Sequence, residues 1–249
     1  MLFLKRDLYV GRSLEAYGEF SEAESAVFVQ LLRPGDIVIE AGANIGAHTV
    51  HIAKLVGASG IVFAFEPQRI IFQLLCANLA LNEVHNVHAI HAAVGREMGR
   101  TKVPLQDYAA EQNFAGIAMR DSGAGEDIGV FKLDNLLLPS LRLLKVDVEG
   151  MEIDVLIGAR ELIRRYRPVL YVENDRQAHS EEMITLIDAL SYNMWWHLPA
   201  LFNPANFAGN ATNLFPNVIS VNLLCFPKEM RRTVSGLRAV SGPKDWWQA

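Results

Sequence analysis

The residues best placed to do chemistry in this chain are carboxylates set beside glycines. Glu40 ends the apolar run Val38-Ile39 and opens Glu40-Ala41-Gly42-Ala43-Asn44-Ile45-Gly46, after which a helical pattern starts near Ala47. That order reads as strand, glycine turn, helix. Such a turn lets a ligand approach backbone N–H groups at a helix N-terminus, where the helix dipole favours negative charge. About 20 residues on, a second apolar run, Ile61 to Phe65, ends in Glu66-Pro67. An acid at the end of a second strand is where a nucleoside's ribose hydroxyls are gripped. The two motifs together predict a nucleoside-bearing cofactor.

The turn selects among such cofactors. Dinucleotide sites favour Gly-x-Gly-x-x-Gly, which gives a pyrophosphate room. Here Asn44 stands at the middle position, Gly42 and Gly46 remain, and Glu40 precedes the first glycine by two residues. An acid there suits a ligand with a cationic amino-acid end, such as S-adenosylmethionine. A glycine-tightened turn with no ligand is the plain alternative for this motif alone.

A second acidic group, Lys145-Val146-Asp147-Val148-Glu149-Gly150-Met151-Glu152, leaves a later apolar run. Close carboxylates repel one another and persist where a metal, a cationic ligand, Lys or Arg partners, or a raised pKa offsets the cost. A third set, Glu173-Asn174-Asp175, follows the next apolar run. If a methyl group of such a cofactor were passed to a hydroxyl, the acceptor oxygen would have to be held in line with it, and a general base would help. The candidate bases are Glu149, then Glu173, with Asp147, His48 and His197 behind them. Asp147 is expected at the cofactor's methionine end or at a metal. A helix-start acid is the structural alternative for Glu149 and the favoured reading of Glu152. His48 and His51, three apart, read as core-edge histidines rather than a metal pair. Gln112-Asn113-Phe114 reads as a cover for the adenine or acceptor, or as a surface hairpin turn.

Elements must position these groups. Ser21-Glu22-Ala23-Glu24 is a capping-box pattern and predicts a helix over 22–33 after an N-terminal arm. Strands are predicted at 36–40, 61–66, 87–93, 141–147 and 169–173, with helices at 46–56, 69–82, 151–166 and 180–191, the last capped by Ser180. Strands at 192–197 and 218–226 follow, joined by a long loop holding Pro199, Pro204 and Pro216. Loops of that length are usually functional or disordered. The Gly- and acid-rich stretch 96–132 is expected as an inserted hairpin or loop beside the cleft, with β-like pieces near 101–105, 115–119 and 128–132. Residues 230–249 are expected as a mobile tail. Alternating strands and helices predict one α/β domain, a parallel sheet with helices on both faces and ligands at the strands' carboxyl ends. Glu40, Asn44, Glu66, Ala93, Asp147, Glu149 and Glu173 should converge there.

Composition narrows the partners. The 249 residues are 51% hydrophobic, enough for one sizeable domain. A net charge of −5 without a basic block argues against nucleic acid. No apolar run approaches membrane-spanning length, and Met1–Asp7 does not read as a secretory signal. Cys76 and Cys225 sit in apolar runs and are expected as buried free thiols of a reducing, cytoplasmic compartment.

Taken in order and spacing, Glu40–Gly46, Phe65-Glu66-Pro67, Leu133-Asp134 and Lys145–Glu152 resemble the FkbM-type S-adenosylmethionine-dependent methyltransferases over about residues 10–227. The first motif position is commonly Asp in that family and is Glu40 here, which keeps the charge and lengthens the side chain. The resemblance implies a Rossmann-like seven-strand fold whose last two strands form an antiparallel hairpin. It implies O-methylation of a small-molecule or carbohydrate acceptor. Cofactor contacts are then expected from Glu40, Gly42, Ala43, Asn44, Gly46, Glu66, Pro67, Ala93 and Asp147, with Glu149, Asp147 and Glu173 in catalysis. A divalent metal is left open. The rival readings are a nucleotide-dependent oxidoreductase, which lacks its glycine signature here, and a binding module without turnover.

Overall fold

The computed structural model describes residues 1–114, 116 and 125–248. Helices α1 (Val10–Tyr17) and α2 (Glu22–Leu31) lead into β1 (Ile37–Ala41), α3 (Ala47–Val56), β2 (Ile61–Phe65), α4 (Arg69–Leu81) and β3 (Val87–Ile90). Three short strands follow, β4 (Ala93–Val94), β5 (Gly99–Val103) and β6 (Glu126–Phe131). The chain then forms β7 (Leu143–Val146), α5 (Glu152–Gly158), α6 (Arg160–Tyr166), β8 (Val169–Glu173), α7 (Gln177–Ala189), β9 (Tyr192–His197), β10 (Asn222–Pro227) and β11 (Arg238–Ala239).

The main sheet has eight strands in the order β11-β9-β10-β8-β7-β1-β2-β3. Strands β3, β2, β1, β7 and β8 run parallel, and β10 is antiparallel to both β8 and β9. The chain winds outward from β1 to β3 and then from β7 to β8 on the other side. The β1/β7 boundary is therefore the switch point, where ligands of open α/β sheets sit.

Strand parity decides which face each acid reaches. Ile37, Ile39, Ala41, Leu144, Val146, Leu170 and Val172 pack on the α5–α7 side. Val38, Leu143, Val169 and Tyr171 pack with Phe28 of α2 and Ile52 and Val56 of α3 on the other. Glu40, Lys145 and Glu173 share the parity of this second set, so their side chains start from the α2/α3 face. All five residues of β1 are buried, as a central strand covered on both sides requires.

Several expectations change. The third strand stops at Ile90, and Ala93–Val94 instead pairs in parallel with β6, which is antiparallel to β5, in a separate three-stranded sheet. The expected helix over 151–166 is two helices that meet at Ala159, and Asp134 Oδ1 accepts from the Leu162 N–H at 2.9 Å in the second. Ser180 is not a cap. It lies buried inside α7, and its Oγ accepts from Asn174 Nδ2. Ser21 sits at the N-cap of α2, but its hydroxyl donates to Glu24 Oε1 at 2.8 Å rather than capping a backbone N–H. The last long strand begins at Asn222 rather than 218.

The expected β-like piece at 115–119 lies outside the described residues, Gly116 excepted. Residues beyond 230 differ from the expected tail. β11 adds antiparallel to β9, Arg238 pairs with Asp245 at 2.8 Å, and Trp246 packs edge-on against Trp196. Both cysteines are free, but Cys76 is exposed, because it lies on the outward side of α4; Cys225 is buried in β10.

Candidate functional site

Two glycines shape the turn after β1. Gly42 has φ +86°, and a Cβ there would overlap the carbonyl oxygen of Asp147. Gly46 has φ +87° and stands at the N-cap of α3, with Leu75 Cδ1 only 2.8 Å from where a Cβ would lie. Only glycine adopts both conformations at low cost. Asn44 between them is also left-handed, φ +50°, and its Oδ1 accepts from the Ile45 N–H at 2.6 Å. The turn is thus pressed against the end of β7, which brings the two acidic motifs together.

Glu66 follows β2 and is buried. Its carboxylate accepts from the Asn44 N–H at 3.0 Å and the Gln68 N–H at 2.8 Å. These bonds use half of the carboxylate's acceptor positions. Burial nonetheless pushes its pKa up to about 7, against those two bonds. Glu66 and Pro67 line a cavity with Gly42, Phe65, Gln68, Ala93, Asp147 and Glu149.

Glu40 is buried beneath the turn. It accepts from Thr49 Oγ1 at 2.6 Å and meets Lys145 Nζ at 3.6 Å. Lys145 also donates to Asp147 at 3.2 Å. Burial opposes the charge on Lys145, but Asp147, Glu40 and Glu24 outweigh it and hold its pKa above the usual value. One ammonium serving three acids cannot neutralise them all. Burial accordingly raises the pKa of Glu40 and of Glu24, with Lys145 pulling the other way. Glu40, Ala43 and Asn44 line a second cavity with Val10, Phe20, His48, Glu66, Lys145 and Asp147.

The third cavity, of about 460 Å³, lies on the far side of Asp147. Asp147, Glu149, Glu173, Asp175 and Arg176 line its acidic side, and Tyr9, Val10, Phe20, Leu201, Val218 and Ile219 its apolar side. Glu149 has φ +58° and pairs with Arg176 at 2.7 Å. Burial raises the Glu149 pKa to about 7, with Asp147 adding to the effect and Arg176 opposing it. Burial likewise pushes Glu173 well above the carboxylate range, and Asp147 and Glu149 add to it. Oxygens of Asp147, Glu149 and Glu173 lie within 4.8 Å of one another. Glu152 points elsewhere and accepts from the N–H groups of Gly150 and Val148, so it fixes the turn.

The three cavities meet at Asp147. The sequence-derived candidates Gly42, Ala43, Asn44, Glu40, Glu66, Pro67, Ala93, Asp147, Glu149 and Glu173 all line one or more of them, whereas Gly46 lies below and shapes the turn. Sequence reasoning gave no role at the site to Glu24, Arg176, Gln68, Tyr9 or Phe20. Only the general need for cations beside clustered acids pointed toward Arg176. His48 proves buried on the wall of two cavities, with burial, then Lys145, lowering its pKa to about 3. Asn113 lines the acidic cavity, while Phe114 is buried against Tyr108 and its carbonyl accepts from Gln68 Nε2.

The cover of the third cavity comes from chain segments far apart in sequence. Tyr17 of α1 donates to the Thr212 carbonyl at 2.9 Å, and Glu19 accepts from Asn203 Nδ2 at 2.8 Å. Tyr17 packs on Phe202 and Phe215. The N-terminal arm and the 198–221 loop therefore form one lid. Among the described residues no helix is long and apolar enough to cross a membrane.

Comparison with known proteins adds four likenesses. Residues 40–194 match the family model described as the methyltransferase FkbM domain. The 31-O-demethyl-FK506 methyltransferase FkbM of Streptomyces tacrolimicus is 28% identical over 188 residues, 63% of this chain and 72% of that protein. Methyltransferase 1 of Beauveria bassiana is 30% identical over 143 residues, 49% of this chain and 57% of that protein. The solved methyltransferase FkbM of Methylobacillus flagellatus shares the fold with a TM-score of 0.52 at 17% identity, covering 82% of this chain and 51% of that one. The chain thus spans little more than half the length of these last two proteins.

Proposed function

The chain belongs to the methyltransferase FkbM domain family, and from that premise we propose that it transfers the methyl group of S-adenosylmethionine to a hydroxyl of a small-molecule or carbohydrate acceptor. The observation that carries this reading is the meeting of three cavities at Asp147: a narrow slot walled by Glu66, Pro67 and Ala93, a charged turn and an acidic, apolar-walled chamber. The name of the Streptomyces relative denotes an O-methylation, which supports an oxygen acceptor.

The residues fit the cofactor. The bare backbone at Gly42 leaves a cradle that a Cβ would fill, and Glu66 retains acceptor positions for two ribose hydroxyls beside Pro67 and Ala93. Asn44 and Ala43 line the neighbouring slot together with Glu40. When bound, the cofactor supplies an electrophilic methyl group whose bonding pair leaves with sulfur. The chain's own residues do the remainder. The lid holds the acceptor and excludes water, and Asp147 borders both chambers, where cofactor and acceptor meet. Glu149 takes the proton of the acceptor hydroxyl as the oxygen–carbon bond forms. A pKa near 7 suits a base working at neutral pH.

The chain is then one methyltransferase unit, with 1–35 as its N-terminal arm and helix and 96–132 as an insertion beside the cleft. The test is a methyl-transfer screen with labelled S-adenosylmethionine against sugars and glycosylated metabolites, with and without divalent metal and chelator. Label appearing in an acid-stable ether supports the reading. Binding of the cofactor with no transfer across the panel favours a module without turnover.

A further inference from the structure

We propose that Asp147, Glu149 and Glu173 form a divalent-cation site in the acceptor chamber, and that the cation holds the acceptor through two neighbouring oxygen atoms. The second half rests on the O-methylation reading; the first does not.

The geometry comes from adjacent strands. Asp147 and Glu149 leave the end of β7, and Glu173 ends β8, its parallel neighbour. Each offers an oxygen, and the three lie within 4.8 Å of one another. Oxygens on opposite sides of Mg²⁺ or Ca²⁺ stand roughly 4–5 Å apart, twice the metal–oxygen distance, and adjacent ones closer. All-oxygen donors select a hard cation such as Mg²⁺, Mn²⁺ or Ca²⁺.

Two buried atoms point to a missing ligand. Glu173 Oε2 is buried without a hydrogen-bond partner, and among the described residues no ion pair reaches Glu173. His48, 6% exposed, lines the same chamber from α3, and its Nε2 also has no partner. A buried polar atom without a partner is costly, so it ordinarily has one in the working state. Of the two protein cations nearby, Lys145 is engaged, whereas Arg176 gives its Nη2 to Glu149 and keeps a buried Nη1 without a hydrogen-bond partner. Lys145 serves Glu40 and Asp147 from beneath, and Arg176 serves Glu149 from the rim, with Glu152 and Asp175 at 3.9 and 3.7 Å. The centre of the cluster is left short of positive charge.

Three protein oxygens leave about half of a six-coordinate shell open. The three acids line the chamber together with His48, and the open positions are those the chamber offers. An acceptor with two adjacent oxygens, a vicinal diol or a hydroxy-ketone, fills two positions at once. Tyr9, Phe20 and Leu201 opposite supply the apolar wall for its carbon skeleton. A bound cation lowers the pKa of a hydroxyl on it, which shifts the task of Glu149 from taking the proton alone to holding the metal.

The deciding experiment uses the full chain, stripped with chelator, and Mn²⁺ alone, followed by electron paramagnetic resonance and calorimetry. One site is expected, displaced by Mg²⁺ or Ca²⁺. Glu173→Gln should weaken it about tenfold or more, while Glu161→Gln, an exposed pair on α6, should leave it unchanged. S-adenosylmethionine binding and the melting temperature report that each variant is folded. If Glu173→Gln does not fold, Glu149→Gln carries the same test. No Mn²⁺ binding by the parent up to millimolar concentration overturns the site, as does binding that ignores both substitutions. Metal binding without any methyl transfer leaves the site standing and counts against the O-methylation reading. Metal-independent transfer supports the O-methylation reading and overturns the cation's hold on the acceptor. A preference for vicinal diols over their mono-deoxy analogues, lost with chelator, is the expected acceptor result; equal use of both overturns the chelation.

Discussion

Glu66 carries two structural hydrogen bonds as well as its proposed role at the ribose. Glu66→Ala removes a charged acceptor worth roughly 1.5–3 kcal/mol, so cofactor affinity should fall about ten- to a hundredfold. It also strands the N–H groups of Asn44 and Gln68, so the melting temperature should fall with it. A folded Glu66→Ala protein that binds S-adenosylmethionine as tightly as the parent would overturn the assignment. Its pKa near 7 adds a pH signature. The folded state holds this proton more tightly than the unfolded chain does. The stability Glu66 contributes is therefore full below pH 4.5 and is lost as pH rises through about 7. A ligand that prefers the ionised carboxylate acts the other way. Affinity should rise from pH 5.5 to about 7 and then level off, read by calorimetry at a series of pH values. Glu149→Gln keeps shape and removes basicity and charge. We expect kcat to fall 10²–10⁴-fold with cofactor affinity nearly unchanged. A kcat within about threefold of the parent would reduce Glu149 to a partner of Arg176 and pass its role to Glu173.

The strand–turn–helix unit formed by β1, Gly42–Gly46 and α3 has little tolerance. Gly42→Val places a branched side chain at φ +86° and drives it into the Asp147 carbonyl, which is backbone and yields only at high cost. The end of β7 must shift, and with it Asp147 and Glu149. This variant should lose cofactor binding more completely than Glu66→Ala, by more than a hundredfold, together with thermal stability. Unchanged calorimetric titration by Gly42→Val would show that the turn is not the cofactor cradle. The lid follows different rules. The N-terminal arm and the 198–221 loop hold each other through Tyr17, Glu19 and Asn203. The apolar side of the acceptor chamber is built from these segments rather than from the sheet.

The whole molecule is acidic, with a net charge of −5, and its cleft is lined by carboxylates. Binding to duplex DNA draws its affinity from phosphate neutralisation by clustered Lys and Arg. At physiological salt this chain should show no submicromolar, salt-sensitive DNA affinity in a fluorescence assay, and such an affinity would revive a nucleic-acid substrate. The same distribution of charge favours cationic or metal-bound ligands in the cleft.

The strand–helix alternation, the parallel sheet and the positions of Glu40, Gly42, Glu66 and Asp147 were legible in the sequence because each depends on local order. Apolar runs set strands, glycine permits the turn, and an acid at a strand's end must emerge at the sheet's edge. The break at Ala159, the detour of Ala93–Val94 into a second sheet and the docking of Trp246 on Trp196 were not, because each is settled by packing between distant segments. The same holds within the site. Nothing local in Ser21–Glu24 shows that Glu24 ends beside Lys145, or that Arg176 reaches back to Glu149. Strand parity places Glu40, Lys145 and Glu173 on one face, and the β7–β8 register then closes three carboxylates to within 4.8 Å. Sequence supplied the charges; the pairing of neighbouring strands set their separation, and burial between sheet and lid set their pKa values.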